Sequence, residues 1–256
     1  MRQLFYLKYY PNYLFFSLVI ILGSCDYRNN SSTSTNINTI IKNEIKNNLI
    51  LKDSCDLEKY FASKHLVNIH ALDTSVQVSL LYATNSNFLH KIIYNNLHDC
   101  YLPCEVAIKL ANAQFYLKKK YPYYNLIVFD ATRPLSIQQQ MWDELDLPYS
   151  TKINYLAHPN DISLHNYGAA VDVGIIGENN LLLDMGSNFD SFELLSNPSK
   201  EMECLKNNTL SKEAYYNRLL LREVMLRAGF TSISSEWWHF NATTKNNAAS
   251  KYELIH

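Results

Sequence analysis

Ser163-Leu164-His165-Asn166-Tyr167-Gly168-Ala169-Ala170-Val171-Asp172-Val173-Gly174-Ile175-Ile176 is the stretch on which the fold turns. Successive side chains of a strand point to opposite faces. If the strand begins near Gly168, then Ala169, Val171, Val173 and Ile175 share an apolar face that belongs in a core. The other face carries Gly168, Ala170, Asp172 and Gly174, small everywhere except for one carboxylate. Such a strand buries its core side and leaves a hollow around Asp172, and His165, just ahead of it, can lean over that hollow. An imidazole and a carboxylate converging there suit a borderline divalent ion such as zinc. A single Asp at a strand end serves equally well as a turn or capping residue, so this stretch needs a partner.

Glu236-Trp237-Trp238-His239 supplies one. A catalytic zinc site has three protein ligands and an open position. His239 is the candidate third ligand beside His165 and Asp172, and Glu236 the candidate base that takes a proton from the attacking water. Residues three apart on a regular strand face opposite ways, so the segment must bend for both to serve one metal. Phe129-Asp130-Ala131-Thr132-Arg133-Pro134 closes an apolar strand with two charges. Pro134 keeps Arg133 out of the helical region, so Arg133 is presented at a strand terminus. There it either steadies a developing oxyanion or pairs with Asp130.

Around these segments, helices and strands interleave. Val76–Tyr82 reads as a strand. Pro103 opens a helix to about Lys119, with Lys118-Lys119-Lys120 complementing its negative end. Leu126–Phe129 is a short apolar strand, and a second helix covers about Ser136 to Leu145. Leu181-Leu182-Leu183 is expected to pair with the 168–176 strand across Gly177-Glu178-Asn179-Asn180. Ser211 to Ala228 reads as the clearest helix, with Leu220, Leu221, Val224 and Met225 as its buried face and Gly229 at its stop. A last strand-like segment holds Trp237, Trp238 and Phe240. The turn at 177–180 implies antiparallel pairing, hence an α+β domain with a central antiparallel sheet flanked by helices.

Composition narrows the classes. The chain has 256 residues, 47% hydrophobic and 18% charged, with a net charge of −1. That is enough apolar material for one full core. It offers no basic excess to neutralise phosphates, so nucleic-acid binding is not expected. Six glycines, seven prolines and nineteen tyrosines exclude collagen-like and wholly disordered chains.

Ser-x-His, Asp six residues further on, and Glu-x-x-His near the C-terminus resemble the zinc D,D-peptidases. Asp-x-x-Arg-Pro, Tyr82-Ala83-Thr84 with Asn87-Phe88, and Met185-Gly186-Ser187-Asn188-Phe189-Asp190 narrow the resemblance to the D-alanyl-D-alanine dipeptidases of the vancomycin-resistance VanX type. It spans about Leu66 to Phe240 in the right order. It implies a Hedgehog/D,D-peptidase-like domain with one zinc ion on His165, Asp172 and His239. Glu236 would be the general base and acid, Arg133 the oxyanion stabiliser, and Ser163 and Asp190 the contacts to the ammonium of a small dipeptide. The stretch from Phe192 to Thr209 departs from the family pattern. The same metal site would serve a D,D-carboxypeptidase or endopeptidase acting on peptidoglycan stems. A non-catalytic zinc-binding lipoprotein would need neither Glu236 nor Arg133.

The N-terminal segment reads as an address. Arg2 and Lys8 precede Leu14–Leu22, an uncharged run too short for the ~20 residues that span a bilayer. Leu22-Gly23-Ser24-Cys25 resembles the lipobox of bacterial lipoproteins, in which the Cys is acylated. Residues 1–24 are therefore expected as a signal peptide and 25–50, rich in Asn, Ser and Thr, as a tether. Residues 51–256 form the single enzyme domain, held at a bilayer of the cell envelope with no protein partner implied. Export would allow one or two disulfides among Cys55, Cys100, Cys104 and Cys204. Wild-type protein is expected in the membrane fraction of expressing cells and Cys25→Ala in the soluble fraction. Solubility of both would make the leader an ordinary cleaved one.

Overall fold

The computed structural model describes residues 56–95, 97–153 and 156–256. The expected signal peptide, the tether, Cys25 and Cys55 lie outside them. Seven helices and seven strands follow in chain order, with single helical turns between: α1 (Asp56–Ser63), β1 (Val67–Asn68), β2 (Gln77–Val78), β3 (Tyr101–Leu102), α2 (Cys104–Lys120), β4 (Asn125–Asp130), α3 (Leu135–Glu144), α4 (Tyr149–Lys152), β5 (Ala170–Ile176), α5 (Glu201–Lys206), α6 (Lys212–Arg227), β6 (Thr231–Ser232), β7 (His239–Asn241) and α7 (Lys245–Lys251). The fold is α+β.

The main sheet has five strands in the order β2-β4-β5-β7-β6. All its pairings are antiparallel except β2 with β4 at one edge. β5 lies at the centre and is buried along its whole length. Val171, Val173 and Ile175 enter the main core as their alternation requires. Gly174 is small for a reason that packing makes visible: a Cβ there would sit 2.9 Å from the Phe129 ring. The register of β4 on β5 slips between Val128 and Asp130, so Phe129 bulges and Asp130 comes opposite Asp172. A bulge of this kind re-aims the side chains beyond it.

α2 and α6 pack on each other beside the sheet. Pro103 caps α2 at φ −53°, Glu105 lies in its first turn and three lysines in its last, each suited to the helix dipole. Val106, Leu110, Ala113 and Leu117 bury one face. Gln114 lies among them fully satisfied, accepting from Leu126 N at 2.7 Å and donating to Ser75 Oγ and Asn125 Oδ1. α6 begins where Ser211 Oγ accepts from Ala214 N at 3.0 Å and ends at Gly229, whose φ of +88° only glycine adopts freely.

Three expectations change. Only Gln77–Val78 of the 76–82 segment pairs as a strand. Leu81–Ala83 makes a helical turn closed by Thr84 N on Leu81 O, and the Tyr82 carbonyl accepts from Ile93 N and Tyr94 N at 2.8 Å each. Leu181–Leu183 does not form a hairpin strand: Ile176 and Leu182 make one bridge, and the chain then leaves for the loop beyond Leu183. Among the described residues no disulfide forms. Cys100, Cys104 and Cys204 are thiols, and burial pushes the Cys100 thiol far above its ordinary pKa.

Candidate metal centre

His165 sits on a single helical turn, Leu164–Tyr167, locked at both ends. Ser163 Oγ accepts from His165 N at 3.3 Å, and Asn166 Oδ1 accepts from Ser163 N at 2.7 Å. Gly168 closes the turn at φ +61°, where a Cβ would lie 2.5 Å from Thr132 Oγ1 and 2.6 Å from Pro103 Cδ. The turn is also stitched to the chain leaving β4. Arg133 N donates to His165 O at 3.0 Å, and Asn166 Nδ2 donates to Arg133 O at 2.9 Å. Asp172 and His239 need no such device. They are cross-strand partners in the β5–β7 register, so backbone pairing alone brings their side chains together.

Hydrogen bonds fix which ring nitrogens face inward. His165 Nδ1 lies 2.7 Å from the Ala131 carbonyl, which can only accept, so Nδ1 carries the proton and Nε2 presents a lone pair. His239 Nε2 donates to Asn241 Oδ1 at 2.8 Å, which leaves the lone pair of the neutral ring on Nδ1. Those two lone pairs face each other at 3.2 Å. Asp172 completes the set, with Oδ1 3.0 Å from His239 Nδ1 and Oδ2 3.5 Å from His165 Nε2. Four-coordinate zinc with ligands at about 2.0–2.2 Å spaces neighbouring donors by roughly 3.3–3.5 Å. Two imidazoles and one carboxylate, whose ligand atoms all lie within 4.8 Å of one another, suit a divalent ion of that kind. The local field agrees. Burial disfavours the charge of Asp172, but the pull and hydrogen bonding of His165 and then His239 outweigh it and hold the carboxyl far below its usual range. Burial likewise opposes charge on His239, yet Asp172 raises its pKa to about 9.

The bulged end of β4 supplies a second charged layer. Asp130 is fully buried; its Oδ1 accepts from Tyr94 OH at 2.7 Å, and its Oδ2 accepts from Arg133 Nε at 3.0 Å and from Arg133 Nη2. Asp130 Oδ2 is also 3.9 Å from His165 Nδ1, so the His165 ring lies between two carboxylates. Of the two roles open to Arg133, the ion pair with Asp130 is therefore formed. Its guanidinium also lies 5.3 Å from the Tyr82 ring centre.

Glu236 precedes β7, and the chain bends at Trp237 and Trp238 before pairing resumes. That bend lets Glu236 and His239 lie on one side, with Glu236 Oε2 3.9 Å from His239 Nδ1. Burial raises the Glu236 carboxyl above its ordinary pKa, His239 opposes this, and Asp172 adds to it. Trp237 and Trp238 are buried and cross edge to face at 5.4 Å.

A cavity of about 860 Å³, lined by none of the three ligand candidates, is walled by Phe88, Phe129, Trp237 and the segment from Leu182 to Ser191. Asp190 stands in that wall, in the left-handed region at φ +57°, and accepts from Tyr82 OH at 2.7 Å. Burial raises its carboxyl well above the usual value, the Tyr82 bond opposes, and Asp172 adds repulsion. Arg133 is the positive group that opposes this rise.

A family profile described as D-ala-D-ala dipeptidase, of the M15 peptidases, matches residues 62–254. The chain belongs to that family. It is 30% identical over 190 residues to the D-alanyl-D-alanine dipeptidase of Escherichia coli K12, an alignment covering 74% of this chain and 89% of the relative. It is 27% identical over 164 residues to a Synechocystis protein of the same name, covering 53% and 66%.

In this M15 peptidase the residues singled out from sequence meet unevenly. His165, Asp172 and His239 converge, and Glu236 joins them. Arg133 and Asp190 stand close enough for their charges to act on one another. Ser163 is engaged as a helical cap, and among the described residues no contact ties it to Asp190. The sequence reading did not assign Tyr82, Tyr94 and Asn241, and it treated Asp130 only as a partner for Arg133. Asn241 was within reach, since residues two apart on a strand share a face. Asp130→Ala would leave the buried Arg133 without its counter-charge, a loss of about 3–5 kcal/mol in unfolding free energy. Urea unfolding measures it, and a loss under 1 kcal/mol would contradict the pairing.

Proposed function

We propose that the chain hydrolyses free D-alanyl-D-alanine, with one zinc ion held by His165 Nε2, His239 Nδ1 and Asp172. The convergence of two fixed imidazole lone pairs and a carboxylate at zinc-like spacing carries this reading. Zinc bound by these residues would supply Lewis acidity to the site. Glu236, beside the ligand set with a raised pKa, takes the proton from the attacking water and returns it to the leaving amine. Arg133, held in place by Asp130, offers positive charge to the oxyanion that develops on the carbonyl oxygen. Asp190 receives the substrate's ammonium. Ser163 is assigned as a second contact to it on the family resemblance alone, since its Oγ already accepts from the backbone N–H groups of His165 and Asn166. The names of the two relatives support the dipeptide as substrate.

We also propose that the enzyme acts in cell-wall peptide turnover or scavenging, anchored to an envelope membrane through acylated Cys25. No helix among the described residues is long and apolar enough to cross a membrane. The anchor rests on the sequence around Cys25.

Glu236→Ala is expected to keep stoichiometric zinc and lose about 10²–10⁴-fold in turnover, whereas His165→Ala or His239→Ala loses the metal as well. Metal analysis beside a turnover assay separates the two, and near wild-type turnover in Glu236→Ala would remove it from the chemistry. Acylating the substrate's amino group converts the partner of Asp190 to a neutral amide and leaves the buried carboxylate without its ammonium counter-charge. That costs on the order of several kcal/mol, so N-acetyl-D-Ala-D-Ala is expected to be cleaved at least about 100-fold more slowly than the free dipeptide. Equal rates would favour a D,D-carboxypeptidase.

A further inference from the structure

Arg218 is the bulkiest fully buried side chain of the described residues, 1% exposed. It comes from the face of α6 that also buries Leu221 and Met225, where helical periodicity calls for an apolar residue. Its guanidinium is not seated on one dedicated acid. Glu201 Oε1 is 3.6 Å from Nη1, and that oxygen already accepts from Arg222 Nη2 at 2.6 Å.

Instead, the guanidinium spends its donors on backbone. Nε donates to Met185 O at 2.6 Å and Nη2 to Leu195 O at 2.8 Å. These carbonyls stand at the two ends of the segment that carries Asp190 and walls the cavity. The guanidinium also lies 5.9 Å from the ring centre of Trp237, whose Nε1 donates to Ser187 Oγ at 3.0 Å inside the same segment. Trp237 directly follows Glu236 in the chain. The loop backbone lies tight against α6 and the residues just before it: a Cβ on Gly186 would be 2.3 Å from Leu210 Cδ1, 3.3 Å from Ala214 Cβ and 3.5 Å from Arg218 Nη2. A hydrocarbon side chain could fill this volume, but it would leave two carbonyls without these donors. A lysine ammonium is a point charge and lacks the rigid fork that spans two diverging acceptors.

We propose that Arg218 is a positioning residue for substrate recognition: it pins both ends of the 185–195 loop and so sets where the Asp190 carboxylate meets the amino terminus of the peptide. The inference rests on the assignment of Asp190 to the substrate ammonium. Arg218 touches neither substrate nor metal and acts through the loop, with Asp190 held against Tyr82 at the far side.

The test uses the full-length, zinc-loaded protein and Arg218→Lys. KM for free D-Ala-D-Ala is expected to rise at least tenfold with kcat within threefold. The preference for the free over the N-acetylated dipeptide shrinks, zinc stays stoichiometric, and amide hydrogen exchange quickens across 185–195. In an Asp190→Ala background, Arg218→Lys is expected to change KM by less than twofold, because its effect passes through Asp190; effects that multiply would overturn the proposal. A merely structural arginine would lower the melting temperature while KM and the substrate preference stayed put. If Arg218→Lys does not fold, Glu201→Gln, which loosens the other side of the guanidinium, is expected to raise KM two- to threefold, and an unchanged KM there overturns the proposal. Wild-type protein that cleaves no dipeptide would defeat the substrate reading instead. Exchange across 185–195 would still decide on Arg218, with unaltered exchange counting against it.

Discussion

The hydrogen bond from His165 Nδ1 to the Ala131 carbonyl governs the geometry of the centre. It sets the tautomer, turns Nε2 toward His239 and Asp172, and ties the helical turn of His165 to the chain leaving β4. The Ala131 carbonyl is available only because β4 ends at Asp130, just after the bulge at Phe129. The bulge in turn requires the small Gly174 beneath the Phe129 ring. A backbone irregularity and a missing Cβ thus decide where a lone pair points.

A continuous run of buried polar contacts joins the ligand set to the cleft. Tyr94 and Arg133 bond to Asp130, the Arg133 guanidinium rests on the Tyr82 ring, and the Tyr82 hydroxyl bonds to Asp190. Buried charges are tolerable only when paired and hydrogen-bonded, and this run satisfies them in sequence. Ion pairs on the surface, such as Lys120 with Glu223, are worth at most about 1 kcal/mol each and do not organise the fold. The scaffold comes from apolar burial along β5, α2 and α6.

The sequence was most legible where local pattern and tertiary role coincide. β5 alternates strictly in Ala169–Ile175, and its lone carboxylate stood out for that reason. The helices at 104–120 and 212–227 announce themselves through Pro103, Ser211 and Gly229. Legibility failed where long-range pairing decides. Nothing local says that Val76–Tyr82 stops being a strand after Val78, or that the Tyr82 carbonyl accepts from two amides of residues 93 and 94. The bend that aligns Glu236 with His239 follows from β7 pairing with β5, and the role of Asp130 from a bulge. Arg218 was hidden for the opposite reason: a charged residue on an amphipathic helix reads as solvent-facing until the loop that covers it is known.

The cross-strand pairing of Asp172 with His239 also bears on the order of events during folding. His239 lies 67 positions from Asp172 and 74 from His165, and β7 is the last strand of the sheet. Closing such distant contacts carries an entropic penalty that only the docked sheet repays. A chain emerging from its N-terminus holds His165 and Asp172 long before His239 exists to join them. Two ligands alone bind an ion far more weakly than three, so tight uptake of the proposed ion would have to follow insertion of the final strand. Acquisition of such an ion would then be a clock for the completion of folding.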